Sequence, residues 1–240
     1  TWTEVNNLNT ARISMASAGH EGTSILSVGG EISSTSALVA ENESWNGTSW
    51  TEIANLNTAR RHGSGDGANN TAAIVFGGGS PSVSNATETW NGTSWTEVNN
   101  LNTAREQLAG AGVVGAAVTF GGNTGSITVN TELWNGTNWT EVNNLNVGRE
   151  QLQGCGLSTA ALAIGGNDGT TAAVAKNEVW NGTNWVEDGD LNTGIRLGGA
   201  AGTSSTGLAF AGQNASNTKL AGAEEFTGAG ANIGAWATSG

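Results

Sequence analysis

The side chains able to move protons in this chain are few: two histidines, His20 and His62, and the carboxylates Asp66, Glu106 and Glu150 among its acidic residues. Two carboxylates flanking a glycosidic bond can serve as general acid and base, which makes sugar hydrolysis the reaction to consider first. That reaction needs unlike residues at equivalent positions, and the segments carrying these groups are too alike. Neither histidine has a repeated partner, and Ser, His and Asp occur without the Gly-x-Ser-x-Gly elbow that exposes a nucleophile. One cysteine, Cys155, excludes an internal disulfide and a multi-thiolate metal site. The expectation is therefore no catalytic residue, no metal and no cofactor.

Two other sets of residues can do non-covalent chemistry. Arg12, Arg60, Arg105, Arg149 and Arg196 recur along the chain, as do Glu43, Glu88, Glu132, Glu178 and Glu225. A planar guanidinium bonds a carboxylate in bidentate fashion, so the five-to-five match predicts a repeated structural ion pair. The second set is polar and weakly charged. Asn123, Asn167, Asp168, Gln213 and Asn214 follow Gly-Gly or Ala-Gly steps, in segments that vary while their surroundings repeat. Hydrogen-bonding groups on variable loops over a constant scaffold suit a polyol ligand, and these five residues are the candidate binding set.

What positions them is a repeat. The chain has 240 residues, with 38 Gly and 10 Trp against 1 Pro and no Tyr. The segment Glu43-Ser-Trp-Asn-Gly-Thr-Ser-Trp50 returns at Glu88–Trp95, Glu132–Trp139 and Glu178–Trp185, and a weaker copy follows at Glu225-Phe226-Thr-Gly228. Each copy leads into a Leu-Asn-Thr-Ala-Arg type segment and then a glycine doublet, Gly29-Gly30, Gly77-Gly78, Gly121-Gly122 and Gly165-Gly166, with Ala211-Gly212 last. Within the third unit, 108–115, 116–120, 127–134 and 139–142 read as strands, and Asn135-Gly136 reads as a type I′ hairpin turn. Four strands in a unit of 40 to 50 residues predict a β-propeller blade.

These repeated residues, an arginine, a glycine doublet, Glu-x-Trp and a second Trp five residues on, resemble the kelch repeat family over nearly the whole chain. The resemblance implies an all-β propeller. The short Asn-Gly-Thr-Ser/Asn-Trp variety is similar to repeats of bacterial and bacteriophage surface or structural proteins, implying an extracellular or virion-associated setting. Two departures stand out: kelch repeats usually carry a Tyr, absent here, and most kelch propellers have six or seven blades. The copper site of kelch-like galactose oxidase requires Tyr. The Ser-Trp-Asn-Gly-Thr-Ser-Trp stretch also resembles the Asp-box of sialidases, with Asn for Asp and a spacing one residue short, and sialidase catalysis again needs a Tyr.

The expected architecture is one five-bladed propeller over 1–240, with four antiparallel strands per blade. Blade one spans about 13–55, blade two 61–99, blade three 106–143, blade four 150–189, and blade five 197–227 plus 1–6. Trp2 and Trp236 compete for the last outer strand. Ten residues separate Phe226 from Trp236 where five separate Trp90 from Trp95, so the N-terminal strand is expected to close the last blade. Small residues such as Gly154-Cys155-Gly156 suit crowded inner strands. The Trp rows are expected to hold blade against blade rather than stack sugars. A further row, Glu4, Glu52, Glu97, Glu141 and Glu187, reads as solubility and edge protection. Asn46, Asn91, Asn135 and Asn181 match the glycosylation sequon, which turn chemistry explains.

Lys plus Arg number 8 and Asp plus Glu 20, a net charge of −12 that repels nucleic acid and anionic lipid. No run of 18 apolar residues occurs, so a soluble chain, monomeric as an isolated domain, is expected. The functional expectation is a non-enzymatic binding or structural module for a glycan or a surface protein. The alternative is a glycan-active enzyme using carboxylates near the propeller axis.

Overall fold

A computed structural model describes residues 3–228 and the strand Ala235–Thr238. The described residues form no helix and build five four-stranded antiparallel sheets, the blades of a β-propeller. Blade one comprises Ala16–Glu21, Ser24–Val28, Asn42–Trp45 and Trp50–Ile53. Blade two comprises Ser64–Asn69, Ala72–Phe76, Thr87–Trp90 and Trp95–Val98. Blade three runs through Ala109–Val113, Ala116–Phe120, Thr131–Trp134 and Trp139–Glu141, and blade four through Gln153–Leu157, Ala160–Ile164, Asn177–Trp180 and Trp185–Asp188. Blade five comprises Gly199–Gly202, Thr206–Phe210, Ala223–Thr227 and Ala235–Thr238. By compactness the chain divides into two units, Thr1–Glu106 and Gln107–Gly240, carrying two and three blades.

The fourth strand of blade five corrects the expectation from spacing. Phe226 pairs with Trp236, the register of Trp45 with Trp50 and Trp180 with Trp185 in other blades. Loop length enters closure only logarithmically, so a longer connection reaches the same register at little cost. Trp2 lies outside the described residues. Residues 3–7 are exposed and outside any strand, and Asn6 Nδ2 donates to Thr48 O of blade one.

The Asn-Gly turns also differ from type I′. The paired Trp45 and Trp50 enclose four residues, with φ of 93° at Gly47 and no positive φ at Asn46. Asn46 Oδ1 instead accepts from the N–H groups of Thr48 and Ser49, both at 2.9 Å. Asn91, Asn135 and Asn181 do the same, a side chain standing in for a backbone acceptor.

Core packing lies between blades within each unit. In the second unit Phe120 meets Trp185 edge-on at 4.7 Å between centroids, and Trp185 Nε1 donates to Thr131 Oγ1 at 3.0 Å. In the first unit Leu26, Val28, Val75, Trp90 and Trp95 form one buried cluster. The first tryptophan of each repeat, Trp45, Trp90, Trp134 and Trp180, is buried and donates its Nε1 to a carbonyl between the first two strands, as Trp180 does to Ser158 O at 2.9 Å. Of the tryptophans five residues further on, Trp95, Trp139 and Trp185 are buried and Trp50 is half-buried. A side chain at Gly154 would place its Cβ 2.6 Å from Gly110 O and 2.8 Å from Phe120 Cζ, which is why the first strands carry so little bulk.

Candidate functional site

The arginine and glutamate rows form buried links inside blades. Arg12 Nη2 donates to Glu43 at 2.9 Å, Arg60 Nη2 to Glu88, and Arg149 Nη2 to Glu178 at 2.8 Å. Burial pushes the Arg60 and Arg149 guanidiniums below their usual value, against the attraction of Glu88 and Glu178. Arg105 and Glu132 are fully buried as well. The carboxylate is also held by an asparagine absent from the candidate set. The Nδ2 groups of Asn9, Asn57 and Asn146 donate to Glu43, Glu88 and Glu178, and their own N–H groups donate to the same oxygens.

The fifth copy requires a correction. Asn192 binds Glu224, not Glu225, through its N–H at 2.7 Å and Nδ2 at 2.9 Å. Glu225 is exposed, whereas Glu224 is buried and lies two residues before the aromatic, as Glu178 lies before Trp180. The position three beyond the asparagine is Ile195, where the other copies have arginine. Arg196 therefore sits one place further on. It donates through Nη1 to Gln151 Oε1 at 2.8 Å and through Nη2 to Asn217 Oδ1.

The glycine doublets tie one blade to the next, since Gly122 N donates to Arg149 O and Gly166 N to Ile195 O, both at 2.8 Å. In both doublets both glycines have positive φ. The candidate loops begin immediately after. Asn123 and Asn167 meet on one acceptor, each donating Nδ2 to Glu150, Asn167 at 3.0 Å. Asp168 and Asn214 instead serve their own loops. The Asp168 carboxylate accepts from Thr170 and Thr171, and Asn214 Oδ1 accepts from the N–H groups of Ser216 and Thr218. Desolvation, the largest single influence, pushes the Asp168 carboxyl up, and the combined hydrogen bonds from Thr171 and Thr170 outweigh it, holding the group below the usual value. Gln213 bridges backbone to backbone with Arg196 and with Lys219.

Sequence reasoning missed a row of positions that recurs in both units. Ser14, His62, Gln107, Gln151 and Leu197 all adopt left-handed backbone, with φ between 54° and 57°. A non-glycine residue in this region costs of order 1–3 kcal/mol, so surrounding structure must enforce it. In the second unit Gln151 N donates to Gln107 O and Leu197 N to Gln151 O, at 2.9 and 3.0 Å; in the first, His62 N donates to Ser14 O at 2.9 Å. The side chains follow, Gln151 Nε2 donating to Gln107 Oε1 at 3.2 Å and Arg196 to Gln151. These residues share a backbone demand and no side-chain property; only their place, two beyond the arginine position, could have revealed them.

The histidines have acidic neighbours. His20 Nε2 lies 2.7 Å from Asp66 Oδ1, and that hydrogen bond raises the imidazole's pKa against partial burial. His62 Nδ1 is 3.5 Å from Glu106 Oε2.

Fold and face together define a β-propeller with a polar, loop-built surface beside its doublets. The solved structure of YjhT is similar to this chain with a TM-score of 0.81 at 13% identity, the match covering 99% of this chain and 87% of that one. No family model matches the sequence, and no curated protein does.

Proposed function

We propose that this propeller is a non-enzymatic binding module that holds a neutral, hydroxyl-rich ligand, a glycan at a cell or host surface, on its doublet-loop face. The carrying observation is the continuous side-chain chain Gln107–Gln151–Arg196–Asn217, which holds the half-buried amides of Gln107 and Gln151 in fixed positions beside Asn123, Glu150 and Asn167. Amides fixed before binding lose little entropy on meeting a polyol. Both oxygens of Glu150 already accept from amides, an arrangement suited to scaffolding and poorly suited to proton transfer. The resemblance to kelch repeats of bacterial and bacteriophage surface proteins supports the same reading.

A glycan-active enzyme is the second reading, favoured by the approach of His62 to Glu106 on the corresponding face of the first unit. A glycan array read together with a reducing-sugar release assay separates the two. Retention without release, weakened by Gln151→Ala, supports the binding module. Release that disappears in Glu106→Gln supports the enzyme.

A further inference from the structure

Blade five has everything that surrounds the buried guanidinium of its siblings except the guanidinium. In blade one Arg12 Nη1 donates to Gly29 O and Glu41 O at 2.8 and 2.6 Å, and Nη2 to Glu43. Blade four repeats this arrangement, Arg149 Nη1 donating to Gly165 O and Lys176 O at 3.0 and 2.9 Å. Two carbonyls and a carboxylate thus make the socket. Its carbonyl frame is marked by a backbone bond, Gly29 N to Glu41 O in blade one and Gly165 N to Lys176 O in blade four. The same bond in blade five runs from Ala211 N to Gly222 O at 2.9 Å. The matching acceptors are therefore the carbonyls of Ala211 and Gly222 and the carboxylate of Glu224.

Ile195 stands where the arginine would enter. What remains is a cavity of about 120 Å³, lined by Leu191, Ile195, Phe210, Leu220 and Glu224 among others. A single water needs roughly 10–15 Å³ of such space, so the cavity has room for a larger group. Glu224 is 8% exposed, and among the described residues no cation pairs with it. Ala211, Gly222 and Thr193, which also line the cavity, are exposed and leave it open to solvent.

We propose that this pocket is a receptor for an arginine side chain presented by a partner polypeptide. A planar guanidinium directs donors in several fixed directions and meets two carbonyls and a carboxylate together, which a compact ammonium cannot do. Leu191, Leu220 and Phe210 would cover the methylene stem. The net charge of −12 attracts a cationic peptide, and an arginine within a chain brings its guanidinium to the two carbonyls and Glu224 without an α-carboxylate of its own.

The test is calorimetric titration of the whole chain with N-acetyl-arginine amide, N-acetyl-lysine amide and free arginine. The arginine amide should bind saturably at one site, about tenfold more tightly than the lysine amide, and more tightly than free arginine. Ile195→Arg should abolish binding by filling the socket from within, beside Arg196 as Arg60 already stands beside Arg61. Glu224→Gln should abolish it by removing the charge, and Asn123→Ala should leave it intact. Circular dichroism melting establishes that each variant is folded; if Ile195→Arg is not, Glu224→Gln alone decides. Equal affinity for the lysine amide, tighter binding of free arginine, binding that survives in folded Ile195→Arg or in Glu224→Gln, or no binding at millimolar concentration would each overturn the proposal.

Discussion

Arg149 Nη2 lies 2.8 Å from Glu178 Oε1 with both side chains sealed from solvent, at 0% and 1% exposure. The pair is one layer of a stack, because the backbone carbonyl of Arg149 also accepts from Gly122 of the preceding blade. Losing the side chain leaves the buried Glu178 charge without its cation and takes a guanidinium donor from the carbonyls of Gly165 and Lys176 together.

Arg149→Met is therefore expected to destabilise the protein by roughly 3–5 kcal/mol, the usual cost of breaking a buried ion pair from one side. Arg149→Met combined with Glu178→Met should cost less than the sum of the two single changes, because neither charge is then left unpaired. Urea unfolding midpoints of the two single variants and the double one measure both effects. Strict additivity would show that the two side chains are energetically independent.

The His20–Asp66 contact makes a pH prediction. The folded pKa of His20 is raised above its ordinary value of 6.5. The resulting stabilisation is fully present below the unfolded pKa and is lost as pH rises through the raised folded value. The His20 side chain is 45% exposed, so solvent screening keeps the effect small. Proton NMR titration should place the His20 midpoint above that of a model peptide. The small decline in thermal midpoint just above pH 6.5 should vanish in His20→Gln.

Glu150 holds two loops at once through Asn123 and Asn167. Replacing it with Gln turns one acceptor oxygen into a donor facing a donor. A cost of about 1–3 kcal/mol is expected from the bond lost and the amide left facing it. The local signature should be faster amide exchange in 123–127 and 167–174 than in the first strands of blades three and four. Uniform acceleration over all segments would instead mark a global loss of stability.

Blade number, together with the strand order and Trp partnerships of the first four blades, was legible in the sequence because these features repeat with a fixed period and a fixed residue type. The fifth copy was not, since matching by residue type aligns Arg196 with Arg149, whereas spacing from the asparagine aligns Ile195 with it. Asn146 precedes Arg149 by three positions and Asn192 precedes Ile195 by three; likewise Glu224, not Glu225, keeps the two-residue step to its aromatic. The left-handed row was hidden for another reason. Ser14, His62, Gln107, Gln151 and Leu197 are held by backbone bonds to neighbouring blades within each unit, a tertiary demand that leaves no residue preference behind. The binding loops were legible as places and not as contacts: Asn123 and Asn167 share Glu150, while Asp168 and Asn214 fold inward on their own turns.

The two ends of the chain make a final prediction with a clear ranking. Ala235–Thr238 is the fourth strand of blade five and covers the edge of Ala223–Thr227 through the register Glu224 to Thr238, Glu225 to Ala237, Phe226 to Trp236 and Thr227 to Ala235. Removing residues 235–240 would strip that edge of its ladder and expose an unpaired strand, a template for association with other chains. Residues 3–7 make no ladder, and the bond from Asn6 to Thr48 is exposed. Deleting residues 1–5 leaves that asparagine in place and should lower the melting temperature by no more than a few degrees. Deleting 235–240 should lower it further and produce dimers or larger species in size-exclusion chromatography with light scattering. If the N-terminal deletion proves the more damaging, the Thr1–Val5 segment and not Ala235–Thr238 is the strand that completes blade five in solution.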